Sequence, residues 1–119
     1  MPDKTAQTFL IVDSSADTCE SVRAKFESLG YETYSARSTS EAIVVVRKHT
    51  PSVVILDLTV PGLPVAQFIK STKEHSPNCK IILASGSLVL QERGVDLKTD
   101  GFIMKPYFVD QILELVKPN

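Results

Sequence analysis

Cysteine is scarce in this chain of 119 residues: only Cys19 and Cys79, far apart and forming no C-x-x-C pair. That spacing offers neither a zinc-ribbon half-site nor a disulfide framework, and it reads as two free thiols in a reducing compartment. A surplus of basic charge is also missing. The formal net charge is -1, so there is no electrostatic footprint for nucleic acid and no polybasic patch for a membrane. No apolar run approaches the roughly 20 residues a spanning helix needs. The opening Met1-Pro2-Asp3-Lys4-Thr5 has no apolar centre and does not read as a signal peptide. The two histidines, His49 and His75, stand near expected helix ends, outside any cluster with metal-ligand spacing. Phosphate-binding P-loops, G-x-G-x-x-G patterns and Ser/His/Asp arrangements are absent, as are internal repeats, low-complexity stretches and interdomain linkers.

What is present is a regular alternation. The length suits one domain with one core, and an apolar fraction of 43% with 23% charged residues is ordinary for a globular chain. Short apolar runs alternate with helix-period segments about five times over, which argues for βα units around a mostly parallel sheet. Strands are expected over 8–13, 31–36 (short and at an edge), 53–57, 80–85 and 101–104. The spacing of Cys19, Val22, Phe26 and Leu29 predicts a helix over 15–29, with Ser14 or Ser15 at its start and Gly30 at its left-handed end. Ser38-Thr39-Ser40-Glu41 is a capping-box pattern opening a second helix that stops before Pro51. Pro64 fits the first turn of a third helix running to about residue 75. A weak helix is expected over 88–96, compromised by Gly94. Val109, Ile112, Leu113 and Val116 form the inner face of a last helix. Right-handed crossovers put helices on both faces. The expected fold is therefore α/β: a doubly wound five-stranded parallel sheet in the order 2-1-3-4-5, of the flavodoxin-like class.

The chemistry collects at the carboxyl ends of the strands. Val53-Val54-Ile55-Leu56 closes on Asp57, and Phe9-Leu10-Ile11-Val12 closes on Asp13. Runs of branched apolar residues read as strands buried on both faces, and acids ending two such strands are costly to place unless something uses them. The fourth expected strand ends on Ser85 and the fifth is followed by Lys105. In this strand order the four groups converge on one crevice. Two carboxylates, a hydroxyl and an ammonium suit a hard divalent cation and a phosphoryl group, and an Asp carboxylate can itself become a covalent acyl phosphate.

At this point the chain resembles the receiver domain of two-component response regulators, the CheY-like family. The matching pieces are Phe9 through Asp13, Val53 through Asp57 with Pro61 four residues later, Ile81-Ile82-Leu83-Ala84-Ser85-Gly86, and Gly101-Phe102-Ile103-Met104-Lys105-Pro106. The ordered set spans about residues 8 to 116, which implies one receiver domain over 1–119 (core about 8–117) with no effector domain. The resemblance implies that Asp57 is the phosphoacceptor, taking a phosphoryl group from a phosphohistidine on a histidine kinase or histidine phosphotransfer protein. It implies Mg²⁺ as cofactor, held by Asp13, Asp57 and the backbone carbonyl of Thr59. Ser85 would bond a phosphoryl oxygen, Lys105 would pair with the phosphoryl group or with Asp57, and Phe102 would be an aromatic switch following Ser85. The peptide before Pro106 is expected to be cis. A downstream protein would read the face built from strand four, strand five and the last helix. The role implied is bacterial, cytoplasmic signalling without nucleic acid or membrane: not an enzyme, catalysing at most its own phosphorylation and dephosphorylation.

The chain departs from the family pattern in three places. Relatives usually carry two adjacent acids after the first strand; here the pair is Asp13-Ser14. A neutral hydroxyl is a poorer ligand for a hard cation than a carboxylate, so Ser14 is the weak member of any metal set, and Asp17 is expected to face solvent. Leu63-Pro64-Val65 stands where relatives often have Met-Asp-Gly, and the stretch between Ser85 and Lys105 is short. The rival reading is a pseudo-receiver that keeps the fold and works through protein contact, with weak or no phosphorylation because Ser14 replaces a metal-ligating acid. A flavodoxin-type cofactor binder shares the topology, but Asp13 and Asp17 in the first loop repel phosphate.

Overall fold

The computed structural model describes residues 7–86 and 99–117. Its elements run β1 (Thr8–Val12), α1 (Ala16–Ser28), β2 (Glu32–Ala36), α2 (Thr39–His49), β3 (Val53–Asp57), α3 (Val65–His75), β4 (Lys80–Ser85), β5 (Gly101–Met104) and α4 (Val109–Leu115). The strands pair in parallel as β2-β1-β3-β4-β5, the order the sequence predicts, with β2 at an edge. The helix expected over 88–96 lies outside the described residues.

Each central strand is buried along almost its whole length, and successive side chains feed different cores. Leu10, Val12, Val54, Leu56, Ile81 and Leu83 pack on one face against Ala42, Ile43 and Val46 of α2 and Phe68 and Ile69 of α3. Phe9, Ile11, Val53, Ile55, Ile82 and Ile103 pack on the other face against Cys19 and Phe26 of α1 and Val109 and Ile112 of α4. Phe9 stacks on Phe26 with centroids 4.1 Å apart and meets Tyr31 edge-on at 5.2 Å, arrangements that add to plain area burial. Burying a single such ring is worth about 1.5–3 kcal/mol, so these faces, rather than helix propensity, hold the layers on the sheet.

The helix ends follow local chemistry, with two differences from expectation. Ser15 caps α1 by accepting the Thr18 N–H, and Gly30 takes the left-handed conformation (φ 92°) after it. Ser38 caps α2 by accepting the Glu41 N–H at 3.1 Å, but the Glu41 carboxylate reaches one residue further back than a capping box requires and accepts the Arg37 N–H at 3.2 Å. Pro64 is the cap of α3 rather than its first helical residue, with ψ of 138°; Phe68 N–H closes the first turn on the Pro64 carbonyl. At the last helix, Gln111 accepts the Phe108 N–H at 2.7 Å.

Candidate functional site

The sheet register puts the two acids side by side. Val12 pairs with Leu56 across β1 and β3, so Asp13 and Asp57 each stand one residue beyond that pair. Both are almost fully buried, at 2% and 4% exposure. Ser85 and Met104 pair across β4 and β5, and Lys105 follows, its N–H on the Ser85 carbonyl. The Lys105–Pro106 peptide is cis. The Lys105 ammonium donates to Asp13 Oδ2 at 2.8 Å and to Asp57 Oδ2 at 3.2 Å.

The remaining carboxylate oxygens are held by the turns that follow. Asp13 Oδ1 accepts the Ser15 N–H at 2.9 Å. Asp57 Oδ1 accepts both the N–H and the hydroxyl of Thr59, at 3.0 and 2.9 Å. These are Asx-type turns, in which a side-chain oxygen replaces a backbone acceptor two residues away. Two carboxylates and one ammonium leave the cluster with a formal charge of -1. Burial alone would lower the Lys105 pKa. The hydrogen bond to Asp13 and the charges of Asp57 and Asp13 outweigh it and hold the ammonium above its usual value. Tyr107, partly buried against the core, has its phenol pushed well up, first by burial and then by the charge of Asp13.

The other expected residues divide. Ser85 is buried at the end of β4. Phe102 is half-buried and packs against the core under α2 and α3; with Met104 and Leu115 it lines a groove of about 560 Å³ between β5 and α4. Ser14 and Asp17 are exposed. The Ser14 contact that the structure does record is through its carbonyl, which accepts two hydrogen bonds from Arg37 at 3.2 Å each. His75 is exposed, whereas His49 stacks on Tyr34 with centroids 4.2 Å apart.

Two contributions escaped the sequence reading. Thr59 was expected only as a carbonyl ligand, yet its hydroxyl fixes the Asp57 side chain; the Asp-x-Thr spacing was the available signal. Arg37 carried no local signal, because its partner is 23 positions away.

The donor set is hard oxygen throughout: two buried carboxylates with residual negative charge and nearby backbone carbonyls. Such a set fits Mg²⁺, which takes one or two carboxylates and keeps several waters. Among the described residues no group of three acids, histidines or cysteines gathers, so the fit is to a two-carboxylate site. Among the described residues no helix is long and apolar enough to cross a membrane.

The comparisons with known proteins agree with this geometry. A family model described as the response regulator receiver domain matches residues 9–117. Sporulation initiation phosphotransferase F of Bacillus subtilis is 28% identical over 113 residues, covering 93% of this chain and 91% of that protein. Response regulator MprA of Mycobacterium sp. (strain KMS) is 28% identical over 107 residues; the chain spans less than half of that relative, 46% of its length. Among solved structures, a CheY-like receiver domain protein from Methanospirillum hungatei JF-1 superposes with TM-score 0.82 at 24% identity, covering 93% of this chain and 90% of that one. A Burkholderia pseudomallei response regulator, solved with a phosphorylated aspartic acid, calcium ion and citrate, superposes with TM-score 0.84 at 21% identity, over 95% of this chain and 68% of that one. The fold and the strand-end cluster define a doubly wound α/β domain with two buried carboxylates and a lysine at the carboxyl ends of its strands. The chain belongs to the response regulator receiver domain family, and its function is that of a receiver in two-component signal transduction.

Proposed function

We propose that Asp57 is the phosphoacceptor of this receiver and that Lys105 holds it for reaction. The observation that carries this reading is the Lys105 ammonium bridging Oδ2 of Asp13 and Oδ2 of Asp57 on two otherwise buried carboxylates. Asp57 Oδ1 already accepts twice from Thr59, whereas Oδ2 accepts from Lys105. A carboxylate oxygen offers two lone-pair sites, so Oδ2 keeps a pair for phosphorus. In the transfer, this oxygen bonds to phosphorus as the P–N bond of a phosphohistidine breaks. The imidazole nitrogen leaves with the bonding pair and takes up a proton from solvent.

Asp13, Asp57 and the Thr59 carbonyl are the groups that would hold Mg²⁺, with Ser14 contributing no more than a contact to a bound water. When bound, the cation offsets the charge that builds on the phosphoryl oxygens. Lys105 then shifts from carboxylate to phosphoryl oxygen. Ser85 bonds a second phosphoryl oxygen and Phe102 follows it, so that added charge of about -1.5 to -2 selects between two states of the surrounding surface.

The donor is a histidine kinase or histidine phosphotransfer protein in the cytoplasm. The reader is a protein that engages the β4–β5–α4 face, whose groove combines Phe102, Met104 and Leu115 with Asp110 and Glu114. Nucleic acid and membrane take no part, and catalysis is confined to the domain's own phosphorylation and dephosphorylation.

Intact mass after exposure to a small acyl phosphate, with and without Mg²⁺, tests the reading. The chain should gain one phosphoryl group when Mg²⁺ is present, and Asp57→Ala should gain none. An unchanged mass in the unsubstituted chain would overturn it and leave a pseudo-receiver that signals through contact alone.

A further inference from the structure

The two loops that follow Asp13 and Asp57 are both gripped by a third segment, the short junction between β2 and α2. Arg37 sends Nε and one terminal nitrogen to the Ser14 carbonyl, each at 3.2 Å. This is the loop whose Ser15 N–H fixes Asp13. Two residues on, Thr39 donates its N–H to the Pro61 carbonyl at 3.0 Å, and its hydroxyl lies 2.8 Å from the Leu63 carbonyl. That is the loop whose Thr59 fixes Asp57. Thr39 is fully buried.

The junction is itself rigid. Ser38 accepts the Glu41 N–H and Glu41 accepts the Arg37 N–H, so the first turn of α2 ties down Arg37 and the residue after it, directly before Thr39. The approach is close: a Cβ built on Gly62 would lie 2.6 Å from Thr39 Oγ1 and 3.0 Å from the Ser40 nitrogen, so Thr39 would have to shift to admit one. The contacts also skip the site. The junction supplies none of the charged groups that meet at Lys105.

We propose that Arg37 and Thr39 are positioning residues for phosphoryl uptake, a clamp at the β2–α2 junction that sets the loops carrying Asp13 and Asp57 relative to one another. The inference rests on the reading of Asp57 as phosphoacceptor. Each half of the clamp acts on a different carboxylate. Arg37 works through Ser14 and Ser15 on Asp13, and Thr39 works through Pro61 and Leu63 on the Thr59 loop. Preorganised geometry of this kind contributes to rate because reacting groups held in place need not be ordered during the reaction.

Charge and position give opposite signs for Arg37, which makes the test sharp. A guanidinium near a cation site repels Mg²⁺, so a role limited to charge predicts tighter Mg²⁺ binding when it is removed. A positioning role predicts weaker binding. Arg37→Met should weaken Mg²⁺ binding about two- to tenfold, the scale of one net hydrogen bond, as followed by amide chemical shifts. In metal-free protein the same variant should move the Ser15 amide resonance and leave that of Thr59 in place. Thr39→Val should do the reverse and slow phosphoryl uptake from a small acyl phosphate by a similar factor, while Thr39→Ser restores both. Tighter Mg²⁺ binding in Arg37→Met overturns the proposal, as do unmoved Ser15 and Thr59 amides in the two variants. Failure of the unsubstituted chain to take up a phosphoryl group would instead strike the phosphoacceptor reading, since the metal-free amide shifts report the clamp without any transfer.

Discussion

Thr59 donates twice to a single oxygen of Asp57, through its backbone N–H at 3.0 Å and its hydroxyl at 2.9 Å. The pair leaves the other oxygen to Lys105 and gives the buried carboxylate one orientation. Thr59→Val keeps the shape and the backbone bond but removes the hydroxyl. We expect a loss of about 1–2 kcal/mol in urea unfolding, toward the low side for a hydrogen bond to a charged group because Thr59 is exposed, together with slower uptake from an acyl phosphate in a stopped mass assay.

Lys105 answers two carboxylates at once. Removing one partner of a largely buried ion pair is costly because the other charge remains. Lys105 keeps about a quarter of its side chain in solvent, so the loss is smaller than for a fully buried pair. Lys105→Met should destabilise the metal-free protein by roughly 1–3 kcal/mol. It should also tighten Mg²⁺ binding, because the cluster goes from a formal -1 to -2. Thermal melts with and without Mg²⁺ check both, the metal recovering part of the lost stability in the variant.

Ser14→Asp restores an acid beside Asp13. The position is exposed and its carbonyl is held by Arg37, so the new carboxylate enters a loop already fixed. Mg²⁺ binding should tighten by about tenfold or more, as one extra hard oxygen donor joins the set. The chain has no tryptophan and three tyrosines, so tyrosine fluorescence during a Mg²⁺ titration is a clean readout; an unchanged curve would place position 14 away from the cation.

At the opposite, amino-terminal end of the strands, Asp100 accepts from the Lys73 ammonium and the Ile81 N–H, both at 2.8 Å. Burial alone would raise its pKa, but these two bonds and the lysine charge win and lower it from the ordinary 3.8. Because the native pKa is the lower one, the unfolded chain takes up its proton first as pH falls. The contribution is complete above about pH 4 and is lost as pH drops through the native value. Asp100→Asn should therefore flatten the acid limb of a stability–pH curve below pH 4 and lower the plateau above it, as urea titrations across pH 2–6 would register.

Gly62 has φ of 110°, a conformation L side chains rarely adopt, and an added Cβ would strike Thr39. Gly62→Ala should cost about 1–3 kcal/mol through strain at that one residue. Crystallography or amide shifts should locate the disturbance at Thr39 and the 59–64 loop rather than in the core.

The strands were legible because their signal is local. Val53-Val54-Ile55-Leu56 cannot cover one face only, and an acid closing such a run marks the sheet edge where ligands bind. Asp13, Asp57 and Lys105 follow from that rule plus strand order, and the structure brings these three together. The site's supports were less legible. Arg37 and Thr39 reach partners 22 to 24 positions away, and no periodicity announces a polar side chain that grips a distant carbonyl. Glu41 looked like half of a capping box, yet it chose the Arg37 N–H, a preference set by how the chain leaves β2. Pro64 fits a first helical turn as a residue type, but its ψ of 138° makes it the cap instead.

Val53 and Ile55 root β3 in the layer beneath α1 and α4, while Val54 and Leu56 root it in the layer beneath α2 and α3. A tug on the tip of this strand is thus divided between two separate hydrophobic beds that share no side chain. One event at residue 57 can therefore be felt on both sides of the molecule, as a plucked wire loads both of its anchorages.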